Sequence, residues 1–179
     1  MMKGVVFDLL EQVIVRDHGE DAWDDLLGAA GLDGAYTSLG SYPDEHLYRL
    51  VREASNTLGL PAHDVIRWFG REALPLLGAA YPEFFTPHTT ARTFILTLND
   101  IIHPEVRKVY PGADVPWFEM TELPSGELVL GYTSKRRLCA FAEGLIQGAA
   151  AHYGEQVAIS QPTCMFNGDA ACALVVRLG

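Results

Sequence analysis

The spacing of apolar residues changes once along this chain, near Gly112, and that change limits the fold more than any other feature. Before it, apolar side chains recur every three or four residues, the signature of helices with one buried face. Val5, Val6, Leu9, Leu10, Val13 and Ile14 mark the first such run. Glu20 to Ala30 ("EDAWDDLLGAA") stops at Gly31, and Pro43 to Gly59 opens on proline and acids and closes on glycine; these are ordinary helix boundaries. Pro61 to Pro82 keeps the helical period, with a kink or break expected at Pro75. Thr89 to Tyr110 reads as one long helix. After Gly112 the runs are short and rich in β-branched and aromatic residues: "WFEMTEL", "ELVLGYTS", "EQVAISQ" and "CALVVRL". "SGE" at Ser125 to Glu127 separates the first two as a hairpin-like turn, and "LCAFAEGLIQGAAAHYG" is a small-residue helix suited to close packing. The expected class is α+β: a helical N-terminal part followed by an antiparallel sheet with a packed helix. Residues 1–179 form a single domain in this reading, with no repeat or linker.

Composition removes several function classes. The formal net charge is -10, from 23 acidic and 13 basic residues, and "SKRR" at Ser134 to Arg137 is the densest basic stretch. Nucleic acid and anionic membrane surfaces are therefore unsuitable partners, because the sign is wrong. The opening "MMKGVVFDLLEQVIV" has an apolar run, but Asp8, Glu11 and Gln12 interrupt it and no small-residue cleavage site follows. It is expected to be a helix of the mature protein. No run reaches the ~20 apolar residues of a membrane span. Three cysteines, an odd number late in the chain, suit a reducing, cytoplasmic setting.

Two constellations carry chemistry. His103 sits beside a helical stripe of Ile95, Leu98, Ile102, Val106 and Val109. A core-edge histidine with a bonded imidazole would satisfy that pattern. Pro104, however, has no N–H and restricts the backbone before it, so the chain should bend or restart at His103. A bend that aims one imidazole out of an apolar face suits a ligand held at a fixed angle. Pro116, Trp117 and Phe118 follow, rigid and flat material able to line a planar cofactor. In "YTSKR", Tyr132, Ser134 and Arg136 share one face if the strand continues through them. Phenol, hydroxyl and guanidinium together form donors for carboxylates or phosphates. A polar strand end leading into a solvated turn is the plainer account of the same residues.

Taken together, an apolar pocket with a histidine and a donor set for two carboxylates matches the needs of haem and its propionates. On "MKGVVFDLLE", "DIIHPEVRKVYPGA", "YTSKR" and "FAEGLIQGAAAHY", the chain resembles the H-NOX family of haem nitric oxide/oxygen-binding domains, also found in soluble guanylate cyclase. The resemblance runs nearly end to end. It implies haem b, with His103 as the iron ligand, Tyr132, Ser134 and Arg136 on the propionates, and Pro116 pressing on the haem. It also implies a distal wall of Val6, Leu10, Leu74, Leu77, Phe141 and Leu145. Phe141 stands where oxygen-binding members carry a hydrogen-bonding tyrosine, so nitric oxide and carbon monoxide are the expected gases. The implied role is a non-enzymatic, bacterial sensor, with a histidine kinase, diguanylate cyclase or phosphodiesterase as separate effector.

Cys139, Cys164 and Cys172 form a third group. Related bacterial members have zinc near this position on cysteines and a histidine; here Gln161 stands at the histidine's place, and glutamine is a poor zinc ligand. His152 is a candidate fourth ligand, and three reduced thiols are the alternative. Two rival functions remain: a haem-free lipid or small-molecule binding module, and a thiol or haem enzyme.

Overall fold

The computed structural model describes residues 1–179. Six strands and eight α-helices follow in chain order, with the helices concentrated in the first two-thirds. Helices α1 (Gly4–His18), α2 (Glu20–Ala30), α3 (Asp44–Leu58) and α4 (Ala62–Ala80) pack around a core that includes Phe7, Val13, Trp23, Leu50 and Phe69. A short ladder of β1 (Met2–Lys3) and β2 (Ser41–Tyr42) ties the start of the chain to the entry of α3.

The second half is a four-stranded antiparallel sheet in the order β3-β4-β6-β5: β3 (Phe118–Glu122), β4 (Leu128–Tyr132), β5 (Val157–Thr163) and β6 (Cys172–Leu178). On β4, Leu128, Leu130 and Tyr132 point inward, and on β6 Cys172, Leu174 and Val176 do the same. With Ile146, Ala149 and Ala150 of α8 (Cys139–His152) they make a second core. Each large aliphatic side chain taken fully from water here contributes about 1.5–3 kcal/mol. The α+β expectation holds, with the packed helix in place.

Helix α8 crosses α4 unusually closely. A Cβ built on Gly144 would sit 2.1 Å from the Arg67 carbonyl oxygen, and one on Gly70 would sit 2.4 Å from that of Phe141. Pro75 does not break α4, which runs through it. Proline offers no N–H to the carbonyl four residues earlier, that of Arg71. That oxygen instead faces α8, 2.8 Å from where a Cβ on Gly148 would be.

The long helix expected over Thr89 to Tyr110 is three pieces. After the short α5 (Pro82–Phe85) come α6 (Ala91–Ile95), a π-turn at Leu98–Ile102, and α7 (His103–Val109). The last piece carries Pro104 in its first turn, where a missing N–H is tolerated. The wider turn before it bonds Ile102 N–H to the Thr97 carbonyl, five residues back. His103 nevertheless keeps helical dihedrals, φ -64 and ψ -38.

Candidate functional site

Between the two cores lies a cavity of about 320 Å³, within the range of small-molecule sites. Of its 31 lining residues 26 are hydrophobic, so an occupant must be mostly apolar. Val5, Val6 and Leu9 reach it from α1, Leu74 and Leu77 from α4, and Phe141 and Leu145 from α8. Leu10 corrects the sequence expectation. It is 4% exposed and turned into the helical core; one residue along the helix changes the face by about 100°, and Leu9 lines the cavity instead.

His103 stands on the opposite wall, at the first position of α7. Its ring tilts by 31° to that of Phe118, with centroids 6.0 Å apart. Nδ1 is buried with no aligned hydrogen-bond partner. Burial above all, and then the Arg107 charge, push the imidazole pKa down to about 4, against a weaker upward pull from the Pro116 carbonyl. The ring is therefore neutral at pH 7, with a lone pair ready for a metal.

Tyr132, Ser134 and Arg136 also line the cavity, although β4 ends at Tyr132. Ser134 and Arg136 belong to the turn that follows, so it is the turn, not strand alternation, that gathers the three. Ser134 Oγ accepts from the Arg136 backbone N–H at 3.2 Å, and Arg137 closes the turn with a left-handed φ of 52. The Tyr132 hydroxyl accepts from Leu138 N–H at 3.0 Å, leaving its own proton free to donate. Arg136 donates to Asp44 Oδ1 at 3.0 Å, the Asp114 carbonyl at 2.7 Å and the Met1 carbonyl at 2.6 Å. This set shares an apolar chamber with a neutral imidazole, and the Arg136 guanidinium is already engaged by Asp44, Asp114 and Met1. Such a chamber fits a flat apolar macrocycle that carries carboxylates at one edge and a metal at its centre. Pro116 lines the same wall as His103.

Sequence reasoning missed Tyr81 and Tyr110, which line the cavity and hydrogen-bond through their hydroxyls. Tyr110 lies seven residues after His103, two turns on the same helical face, and that spacing was a usable signal. Tyr81 gave none.

The three thiols do meet. Sγ of Cys164 lies 4.0 Å from that of Cys139 and 3.9 Å from that of Cys172. Thiolates around a tetrahedral zinc at about 2.3 Å would be about 3.8 Å apart, so the sulfur side of such a site fits. His152 is elsewhere, its ring 5.0 Å from that of Phe85. Gln161 supplies a buried amide without an aligned partner. Burial chiefly, together with the neighbouring sulfurs, pushes the Cys139 thiol up to about 12, with the Gln161 amide opposing. Without a metal that thiol stays protonated.

The family model described as haem-NO-binding matches residues 3–161. An H-NOX protein from S. oneidensis, solved in the Fe(II)NO ligation state, superposes with a TM-score of 0.93 at 34% identity, covering 99% of both chains. One from K. algicida, solved as Fe(II) unliganded, has the same fold with a TM-score of 0.88 at 22% identity, covering 99% of this chain and 97% of that one. Soluble guanylate cyclase gcy-32 of Caenorhabditis elegans is 24% identical over 155 residues, which span 83% of this chain but only 23% of that longer protein. No helix is long and apolar enough to cross a membrane.

Proposed function

We propose, from the premise that the chain belongs to the haem-NO-binding (H-NOX) family of haem-based gas sensors, that it senses nitric oxide and reports to a separate effector. The observation that carries this reading is the His103 imidazole, held neutral by burial on the wall of an apolar cavity. His103 would hold the iron of haem b, and Tyr132, Ser134 and Arg136 would hold the propionates. When bound, haem would supply an iron centre able to take a diatomic gas.

The chain's own residues determine the rest. Val6, Leu74, Leu77, Phe141 and Leu145 offer a gas no hydrogen-bond donor and exclude water. That wall favours nitric oxide and carbon monoxide over oxygen, whose bound form needs a donor. His103 is the switch. As the residue that would hold the iron, it would also hold α7, which buries no side chain fully and could otherwise shift against the helical half. A ligand that favours one of two such packings biases the pair, and an effector can read the difference. A histidine kinase, diguanylate cyclase or phosphodiesterase is the proposed class of effector, by family resemblance. The chain acts as a sensor module and not as an enzyme.

An absorption spectrum of the purified, haem-supplemented protein tests the reading. A strong Soret band that shifts with nitric oxide supports it. Absence of the band after supplementation favours the haem-free binding module. The zinc reading, on Cys139, Cys164 and Cys172, is tested separately by metal analysis of untagged protein. One zinc per chain that disappears in Cys164→Ser supports that site, and metal-free folded protein removes it.

A further inference from the structure

The segment that carries His103 is held in an unusual way. From Leu98 to Val109, across the π-turn and α7, no side chain is fully buried. A helix normally stays in place by burying an apolar stripe, and this one faces a cavity instead. Polar contacts near its two ends must do more of the holding. At the N-terminal end Asn99 grips the backbone of Phe118 twice, donating through Nδ2 to the carbonyl at 2.7 Å and accepting from the N–H at 3.1 Å. At the C-terminal end the chain leaves α7 at Tyr110, which is 7% exposed yet belongs to neither hydrophobic core. Its hydroxyl meets that of Tyr81, the residue at which α4 ends. Burial first, and then the bond from Tyr81, raise the Tyr110 phenol, so that hydroxyl keeps its proton across the physiological range.

We propose that the Tyr81–Tyr110 hydroxyl pair is a clasp that fixes α7 to the end of α4 across the cavity, making both tyrosines positioning residues for His103. The proposal deepens the gas-sensor reading and rests on it for the role of His103. The clasp joins the helix of the iron ligand to the helix that supplies Leu74 and Leu77 to the opposite wall. Its strength sets how readily the C-terminal end of α7 swings when the imidazole is released, with the Asn99 grip, on the His103 side, as the fixed end.

The test uses Tyr81→Phe, Tyr110→Phe and the double variant, which keep both rings and remove only hydroxyl oxygens. Amide hydrogen exchange on the full chain, with and without added haem, reads the opening of α7. Loss of one hydrogen bond should speed exchange over residues 103–109 by roughly threefold to tenfold, with β4 and α8 unchanged. The double variant should match the singles, because either substitution alone opens the clasp. In haem-loaded protein the iron–histidine stretching frequency should move in the same three variants. Unchanged α7 exchange in both singles overturns the clasp, as do single effects that multiply in the double. Faster exchange with an unmoved stretching frequency overturns the link to His103. A chain that takes up no haem refutes the sensor reading, while the exchange measurements still judge the clasp.

Discussion

Replacing Gly144 by alanine adds one methyl group where α8 meets the backbone of α4. The added Cβ would meet the Arg67 carbonyl oxygen at 2.1 Å and the Arg71 nitrogen at 2.9 Å, where ordinary contact begins at 3.4 Å. Both obstacles are backbone, so no rotamer change relieves the clash, and α4 and α8 must separate by about 1 Å or more. Overpacking of this kind costs about 1–3 kcal/mol, and more where the neighbour cannot yield. Alanine returns up to about 1 kcal/mol of helix propensity. The net expectation is a loss of about 2 kcal/mol, or a thermal midpoint about 4–8 °C lower for a chain of this size. Gly28→Ala is the matched control. It lies inside α2 with nothing within 4 Å of its Cβ, so the same substitution should raise the midpoint by about 2–4 °C. Calorimetry on both variants, with the position of the Soret band as a second readout, checks the pair. A Gly144→Ala protein as stable as the parent would refute the close-crossing argument.

Three further outcomes are expected. His103→Gly should abolish tight haem retention while leaving the fold intact, and added imidazole should restore binding; an unchanged ferrous spectrum without imidazole would show that another residue is the ligand. Arg136→Ala should accelerate haem loss and also cost about 2 kcal/mol, because its bonds to Asp44, Asp114 and Met1 all disappear; haem-loss rates equal to the parent would count against the propionate role. Ferrous protein opened to air should form no stable oxygen adduct, since Phe141 and its neighbours donate nothing; a stable oxy spectrum would direct attention to the Tyr81 and Tyr110 hydroxyls.

The sequence revealed most of the architecture because apolar period and boundary residues are local signals. Glu20 to Ala30 with its glycine stop appears as α2, and Gly31 caps it with a left-handed φ of 61. The stretch around His103 was legible as a bend, since Pro104 announces one, but not as a π-turn. The choice between a kink and a wider turn is made by packing on residues far away in sequence. The same limit explains Pro75, where the carbonyl left over by the proline finds its surroundings on α8, seventy-odd residues later. Leu10 failed for a simpler reason: on a helix that touches both a core and a cavity, adjacent apolar residues divide between the two. Tyr132, Ser134 and Arg136 do line one cavity, but not through strand alternation, because Ser134 and Arg136 reach it from a turn after the strand has ended. Tyr81 shows what pattern cannot supply, a partner defined only by where another helix ends.

The crossing of α4 and α8 is written in the sequence largely as absences: the side chains missing at Gly70, Gly144 and Gly148, and the N–H missing at Pro75. Interlocked knobs normally register two helices axially, and there are few knobs here. Smooth backbone against backbone resists separation, because dispersion contacts are close, but it offers less resistance to a slide along the axis. Such a joint behaves as a bearing. Leu74 and Leu77 ride on one side of it, Phe141 and Leu145 on the other, so axial travel would offset the two halves of that wall without unpacking either core.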